Sequence, residues 1–334
     1  MPDSERGAPP ALVLTAGLGT RLRPLTYVRA KAAVPVNGEP LARRVIRWLA
    51  VQGVCDLVLN LHHLPHTIAA TLGEGADLGV RIRYSWEQPI LGSAGGPRRA
   101  LPLLTGAGGP FLIVNGDTLT DLDLGALLAR HEAAGAAVTM AVIPNPRPDK
   151  YGSVIVAPDG WVTGFSGRRR AGEKPVHRAD GFDAFHFIGV QVAHASVFQH
   201  LEDGMLAESV ADLYPRLLRE RPRSIAAHVC RASFQDIGTP SDYFETCLSL
   251  AASEGSHLVG RDRVAVDESA RLERTVVWDD VTVGAGARLT RCIVADGARV
   301  PPGTTLEGCA IVPAGSLTPA PGERIERGLL TKPL

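Results

Sequence analysis

The chain has 334 residues, 45% of them hydrophobic and 21% charged, which suits an ordinary globular protein with one large domain and a smaller one. Lys+Arg and Asp+Glu balance at 35 each, which argues against nucleic-acid and membrane-surface partners, since both select an excess of positive charge. No run reaches the roughly 18–20 apolar residues of a membrane-spanning helix. The five cysteines (Cys55, Cys230, Cys247, Cys292, Cys309) form no C-x-x-C pair, so they read as small buried hydrophobes in a reducing cytoplasm.

Residues 1–10 are polar and Pro-rich without an apolar signal segment, which predicts a flexible N-terminus. Ala11–Thr15 follows as a buried parallel strand. It runs into the glycine-rich turn Ala16-Gly17-Leu18-Gly19-Thr20, where backbone N–H groups are available to phosphate. Arg21, Arg23 and Lys31 come directly after, so backbone and side chains together suit a polyanion. The dinucleotide fingerprint and the P-loop both fit badly: Leu22 stands where the first needs glycine, and the Gly-Lys-Ser/Thr of the second is missing.

Further strands are predicted at 54–59, 80–84, 110–114, 137–143, 185–192 and 224–230, with helices over 41–50 and 122–134. This alternation predicts an α/β domain over 11–252: a Rossmann-like mixed, mostly parallel sheet with helices on both faces. Its ligand crevice belongs at the carboxyl ends of the strands. Asp117 closes the strand Phe111-Leu112-Ile113-Val114-Asn115-Gly116 at such an end. Thr239 and Pro240 read as the N-cap and first residue of a helix, which leaves Asp236 without a local task. His62, His63 and His66 lack the ligand spacing and partner carboxylate of a metal site and read as loop surface.

From about Gly260 the pattern changes to a seventeen-residue repeat. Val266, Val283, Val300 and Leu317 share one phase, Leu272, Leu289 and Leu306 a second, Val277, Val294 and Ile311 a third. Three aliphatic anchors per unit, about six residues apart with small residues between, suit a triangular solenoid; neither a 3.6-residue nor a two-residue period explains them. The repeat spans 259–317, and 318–334 loses it as a cap or tail.

The run from Leu14 to Lys31 resembles the signature of the sugar-1-phosphate nucleotidyltransferases, close to L-x-A-G-x-G-T-R-L-x-P-L-T followed by P-K and P-V. It matches at Ala16, Gly17, Gly19, Thr20, Arg21, Leu22, Pro24, Leu25, Thr26, Lys31, Pro35 and Val36, and departs at Thr15 and Ala30. Asn115-Gly116-Asp117 resembles the family's N-G-D, Phe234-Gln235-Asp236-Ile237-Gly238-Thr239-Pro240 its W-x-D-I-G-T-P, and Glu87–Gly96 its E-x-x-P-L-G-T-A-G-G. The repeat resembles the left-handed hexapeptide β-helix that many of these enzymes carry.

The resemblance implies attack of a sugar 1-phosphate oxygen on the α-phosphate of an NTP, with release of pyrophosphate. It implies Mg²⁺ on Asp117 and Asp236, Arg21 on the leaving phosphates, and Lys31 on the nucleotide's phosphates or the sugar phosphate. Ala16, Gly17, Gly19 and Thr20 would line the phosphates, Gln88 and Gly92 the base, and Gly152 and Gly189 the sugar hydroxyls. Glu173-Lys174-Pro175 is displaced from its usual place by the insert Arg168-Arg169-Arg170; either a longer loop delivers Lys174, or the arginines take the anion's contact. The closest likeness is to mannose-1-phosphate guanylyltransferases, hence GTP and mannose 1-phosphate. The alternatives are uridylyl or thymidylyl transfer to glucose or amino-sugar 1-phosphates, and a regulatory homologue that binds sugar nucleotide without turnover. An acyltransferase in the β-helix is disfavoured because no histidine follows Gly260; the solenoid reads as a module for stability or for a homo-oligomer.

Overall fold

A computed structural model describes residues 8–104, 109–167, 183–260 and 262–334. They fall into two compact units. One holds the residues up to 17 together with 45–63 and 72–235; the other holds 18–44, 64–71 and 236–334.

The first unit is built on a nine-stranded sheet. Its parallel part comprises β1 (Ala11–Leu14), β2 (Asp56–Leu61), β3 (Arg81–Trp86) and β4 (Pro110–Asn115), ordered β4-β1-β2-β3. Ala11–Val13 and Phe111–Val114 are buried without alternation, as expected for strands covered on both faces. β5 (Val138–Pro144), β6 (Ser153–Val156), β7 (Val162–Ser166), β8 (Asp183–His194) and β9 (Ile225–Val229) complete the sheet. β8 runs antiparallel to β4, β5 and β6, β7 closes on β6, and β9 lies parallel to β5. The predicted strands all form, shifted or extended by a few residues, and β6 and β7 join them. Each unit of predicted helix forms as well: α1 (Leu41–Val51) buries Leu41, Val45, Ile46 and Leu49. α2 (Pro65–Leu72) belongs to the second unit up to Thr71, whereas α3 (Gly92–Leu104) and α4 (Leu124–Ala134) belong to the first. α4 starts two residues later than its pattern predicts because Asp123 caps it, accepting from the Ala126 N–H at 3.1 Å. Gly135 ends it with φ 57. Leu12, Phe111, Ile113, Met140 and Phe198 belong to the core.

α5 (Tyr214–Glu220) belongs to the first unit, and in the second α6 spans Pro240–Glu254. Thr239 caps it and Pro240 lies in its first turn, as the sequence predicts, and Asp242 completes a reciprocal capping box with Thr239. Beyond it the repeat becomes a β-helix. Ala265–Val266, Thr282–Val283 and Arg299–Val300 stack in parallel on one face, and Arg271–Glu273, Arg288–Thr290 and Thr305–Glu307 on a second. Val276–Val277, Ile293–Val294 and Cys309–Pro313 form the third. Every register joins residues seventeen apart, such as Leu272↔Leu289↔Leu306. The first phase stops at Val300. Leu317 lies outside any strand, because the chain turns back: Leu329–Pro333 pairs antiparallel with Cys309–Pro313 and carries Arg324–Glu326 on its other side. The tail is therefore a hairpin cap. Cys292 and Cys309 stack inside, their Sγ atoms 3.8 Å apart. Cys247 is also buried, but Cys230 is only half-buried and Cys55 is exposed.

Candidate active site

In the first unit the glycine-rich turn is tied to its neighbours by one amide. Asn60, at the carboxyl end of β2, accepts from the Thr15 N–H at 2.6 Å and the Ala16 N–H at 3.3 Å, and its own carbonyl accepts from the Thr15 hydroxyl. Its Nδ2 donates to Glu87 Oε1 at 2.7 Å, while Glu87 Oε2 accepts from the Leu91 N–H at 2.8 Å. Glu87 is 2% exposed, so its charge is held by bonds from both sides. Ala16 is buried and Gly17 exposed, and a Cβ on Gly17 would meet nothing within 4 Å.

Asp117, half-buried, follows the carboxyl end of β4. The two residues before it are fixed by close approach. A Cβ on Gly116 would lie 2.7 Å from Thr15 Cγ2 and 2.8 Å from the Leu14 carbonyl oxygen. Asn115 packs on Gly189, where a Cβ would lie 2.5 Å from Asn115 Nδ2. Gly189 has φ 81 and sits where the β8–β5 register shifts, a bulge position that favours glycine. Gln88 is exposed just past β3. Gly92 opens α3 with φ 74 beneath the Ala207 carbonyl, and the Ser93 hydroxyl donates to Glu208 at 2.5 Å. Gly152 is exposed, with the Ser166 carbonyl 2.9 Å from where its Cβ would be. Leu14, Ser93, Asn115, Phe187, Gln191 and Glu208 help line a cleft of about 610 Å³ at the carboxyl ends of β1 and β4, within the usual range for a small-ligand site. On β8, His186 lies between the rings of Tyr151 and Phe234, at 4.4 and 4.6 Å. Burial pushes its pKa down to about 4.

In the second unit the rest of the signature folds on itself. The Thr26 hydroxyl donates to the Gly19 carbonyl at 2.9 Å, and Gly19, with φ 61, lets Thr26 and Lys31 close over it. Thr20 and Arg21 are exposed and Lys31 is half-buried. Arg21 and Asp236 converge on Gly238: from a Cβ there, Asp236 Oδ2 would be 3.1 Å away and Arg21 Nη1 3.3 Å. The Arg23 guanidinium lies 5.2 Å from the Tyr27 ring. Lys174 and the Arg168–Arg170 insert lie outside the described residues. His62 has one ring nitrogen 3.0 Å from the Glu87 carbonyl oxygen. Among the described residues no group of three or more His, Cys, Asp and Glu side chains gathers as a metal centre.

Asp117, in the first unit, and Asp236, in the second, each carry a carboxylate partly open to solvent. Hard carboxylate oxygens without sulfur or imidazole suit Mg²⁺, which keeps its remaining positions for water and substrate phosphate. The sequence does not single out Asn60, nor Glu87 within the Glu87–Gly96 motif. A buried carboxylate two residues before a turn proline gives no local sign of its partner.

Comparison with known proteins adds three findings. Residues 10–253 match the family described as Nucleotidyl transferase, and residues 247–308 the GlmU-like C-terminal hexapeptide. The chain is 29% identical over 278 residues to a mannose-1-phosphate guanyltransferase of Schizosaccharomyces pombe, covering 78% of this chain and 72% of that protein. It is 34% identical over 233 residues to an N-acetylmuramate alpha-1-phosphate uridylyltransferase of Neisseria meningitidis, covering 69% and 93%. Its fold matches HddC from Yersinia pseudotuberculosis with a TM-score of 0.59 and 21% identity, over 72% of this chain and 98% of that one.

Proposed function

Because this chain belongs to the nucleotidyl transferase family, and is with its relatives an enzyme of sugar-1-phosphate nucleotidyl transfer, we propose that its substrates are GTP and mannose 1-phosphate. The likeness to a mannose-1-phosphate guanyltransferase carries the choice of base and sugar, and the convergence of Arg21 and Asp236 on Gly238 supports the phosphate chemistry, since a guanidinium beside a carboxylate suits a metal-bound polyphosphate. In the reaction an oxygen of the sugar phosphate attacks the α-phosphorus. The bond from that phosphorus to the bridging oxygen breaks, and pyrophosphate leaves with the electron pair.

Arg21 takes the charge that accumulates on the leaving pyrophosphate. Lys31, compact and flexible, follows charge across the transfer. Ala16, Gly17, Gly19 and Thr20 offer backbone to the phosphates, and the Asn60–Glu87 pair holds the start of that turn. Gln88 and Gly92 face the base, Gly152 and Gly189 the sugar. We assign Asp117 and Asp236 to Mg²⁺, which when bound neutralises phosphate charge and aligns the reacting groups. Lys174 is assigned to the sugar phosphate on its motif alone. The domain limits we adopt are 11–252 for catalysis and 259–317 for the β-helix, with 318–334 as cap; the setting is cytoplasmic and the enzyme a homo-oligomer.

The 34% identity to a uridylyltransferase favours a second reading, UTP with an amino-sugar 1-phosphate. Pyrophosphate release with Mg²⁺, crossing five NTPs with a panel of sugar 1-phosphates, tests both. Turnover restricted to GTP and mannose 1-phosphate supports the first, and UTP dependence replaces it with the second. Silence from folded protein that binds nucleotide would leave the regulatory homologue.

A further inference from the structure

Residues 18–36 carry Arg21 and Lys31 but hold no regular element longer than the three-residue 3-10 turns Thr20–Leu22, Leu25–Tyr27 and Lys31–Ala33. Such a segment forms few hydrogen bonds of its own, and ordering it costs roughly 1–2 kcal/mol per residue. Its shape has to be imposed by what it packs against: within its own compact unit the Thr67 hydroxyl accepts from the Ala30 N–H at 3.1 Å and Arg44 donates to the Val36 carbonyl at 3.0 Å, and four fastenings come from the β-helix, its cap and α6.

Three of them come from the β-helix and its cap. Lys332 Nζ donates to the Arg23 carbonyl at 3.2 Å. The Tyr27 hydroxyl lies 3.4 Å from both carboxylate oxygens of Glu323. The Arg29 guanidinium forks onto Asp296, through Nε and through Nη2 at 2.8 Å, and reaches Asp279 at 2.8 Å. The fourth runs through α6: Trp278 Nε1 donates to the Tyr243 hydroxyl at 2.7 Å, and that hydroxyl donates to the Pro35 carbonyl.

The Arg29 fastening is the strongest of the four. Asp279 and Asp296 are seventeen residues apart, at one corner of successive coils, and the Asp279 N–H donates to Asp296 at 3.1 Å. Two carboxylates stacked in this way repel unless a cation lies between them. Arg29 supplies it, with its side chain 17% exposed against 22% for Asp296, and it lies 5.5 Å from the Trp278 ring. Bidentate geometry makes this an orientational clamp as well as a charge pair.

We propose that the β-helix serves as the template that shapes the cation loop, with Arg29 as a positioning residue that sets Arg21 and Lys31 through Asp279 and Asp296. This inference rests on the reading of Arg21 and Lys31 as phosphate ligands. It gives the solenoid a direct part in phosphoryl transfer, apart from stability or assembly.

The test uses the full-length protein and the variants Arg29→Met, Arg29→Lys and Asp279→Asn/Asp296→Asn. Hydrogen exchange judges the clamp without reference to activity. Amides of residues 18–34 should lose protection by at least about tenfold in the Met and double-Asn variants, while those of β2 and β4 stay unchanged. Steady-state kinetics judges the consequence: kcat should fall at least about tenfold, with the KM for sugar phosphate within about threefold, and Arg29→Lys should recover part of the loss. Loop protection and kcat both at the wild-type level in the Met variant would overturn the proposal. So would loss of protection spread evenly over the chain, since that marks a general stability effect. If the wild-type protein shows no turnover, the functional reading fails first, and the exchange pattern still decides whether Arg29 shapes the loop.

Discussion

Asn60 and Glu87 form a buried pair in which the amide takes two roles: Nδ2 donates to Glu87 at 2.7 Å while Oδ1 accepts from the Thr15 backbone at 2.6 Å. The pair joins the ends of β2 and β3 to the turn after β1, so the strand-end geometry is set by side chains as well as by the sheet. Glu87→Gln places an amide donor against the Asn60 donor on one side or the Leu91 N–H on the other. Urea denaturation should show a loss of about 1–3 kcal/mol, the cost of a buried polar group left without its partner. The KM for NTP should rise with it.

Asp117 and Asp236 are half-buried at the ends of short elements, and neither belongs to the core. Asp117→Asn and Asp236→Asn should each keep the melting temperature within a few degrees and lower Mg²⁺-dependent turnover by about 100-fold or more. Turnover at the wild-type level in either variant would remove that aspartate from the metal site.

A methyl group at Gly189 would collide with Asn115 and meet a φ of 81. Gly189→Ala should cost on the order of 1–3 kcal/mol and, by displacing Asn115, disturb Asp117 two residues on. A fall in kcat at a temperature where the variant remains fully folded is the expected signature.

His131 is 5% exposed, with Nδ1 2.8 Å from the Thr139 hydroxyl and its ring 5.1 Å from that of His194. Burial, aided by His194, holds its pKa down to about 4. Between pH 4 and 6.5 the unfolded chain binds a proton that the folded chain does not, so stability rises with pH across that window and is fully present above it. His186 behaves likewise. Moving from pH 7 to pH 5 should cost on the order of 2 kcal/mol per histidine, and His131→Gln should flatten about half of that slope in urea titrations, by the same linkage.

The legible parts of this protein are those whose partners repeat or lie close in sequence. The anchors Val266, Val283 and Val300 announce their own register, and the Thr239–Asp242 box needs four adjacent residues. Phe111–Val114 reads as a strand because both faces are apolar. Asn60 and Glu87 are 27 residues apart and polar, so each alone reads as a loop residue. Arg29 finds Asp296 across 267 residues, and nothing near either side chain signals the other. The resemblance assigns Gly189 to the sugar, yet the approach of Asn115 is reason enough for a glycine there.

The seventeen-residue register also constrains how such a chain can change length. Each coil hands the next the same three anchors, and residues of positive φ recur at the same step, as at Arg274 and Arg291 or Arg263 and Asp280. Adding or removing seventeen residues leaves every face in phase. Inserting one within a face turns its inward side chains outward and misaligns the coils that follow. The stack is thus quantised, and its faces accept a change of length only in whole turns.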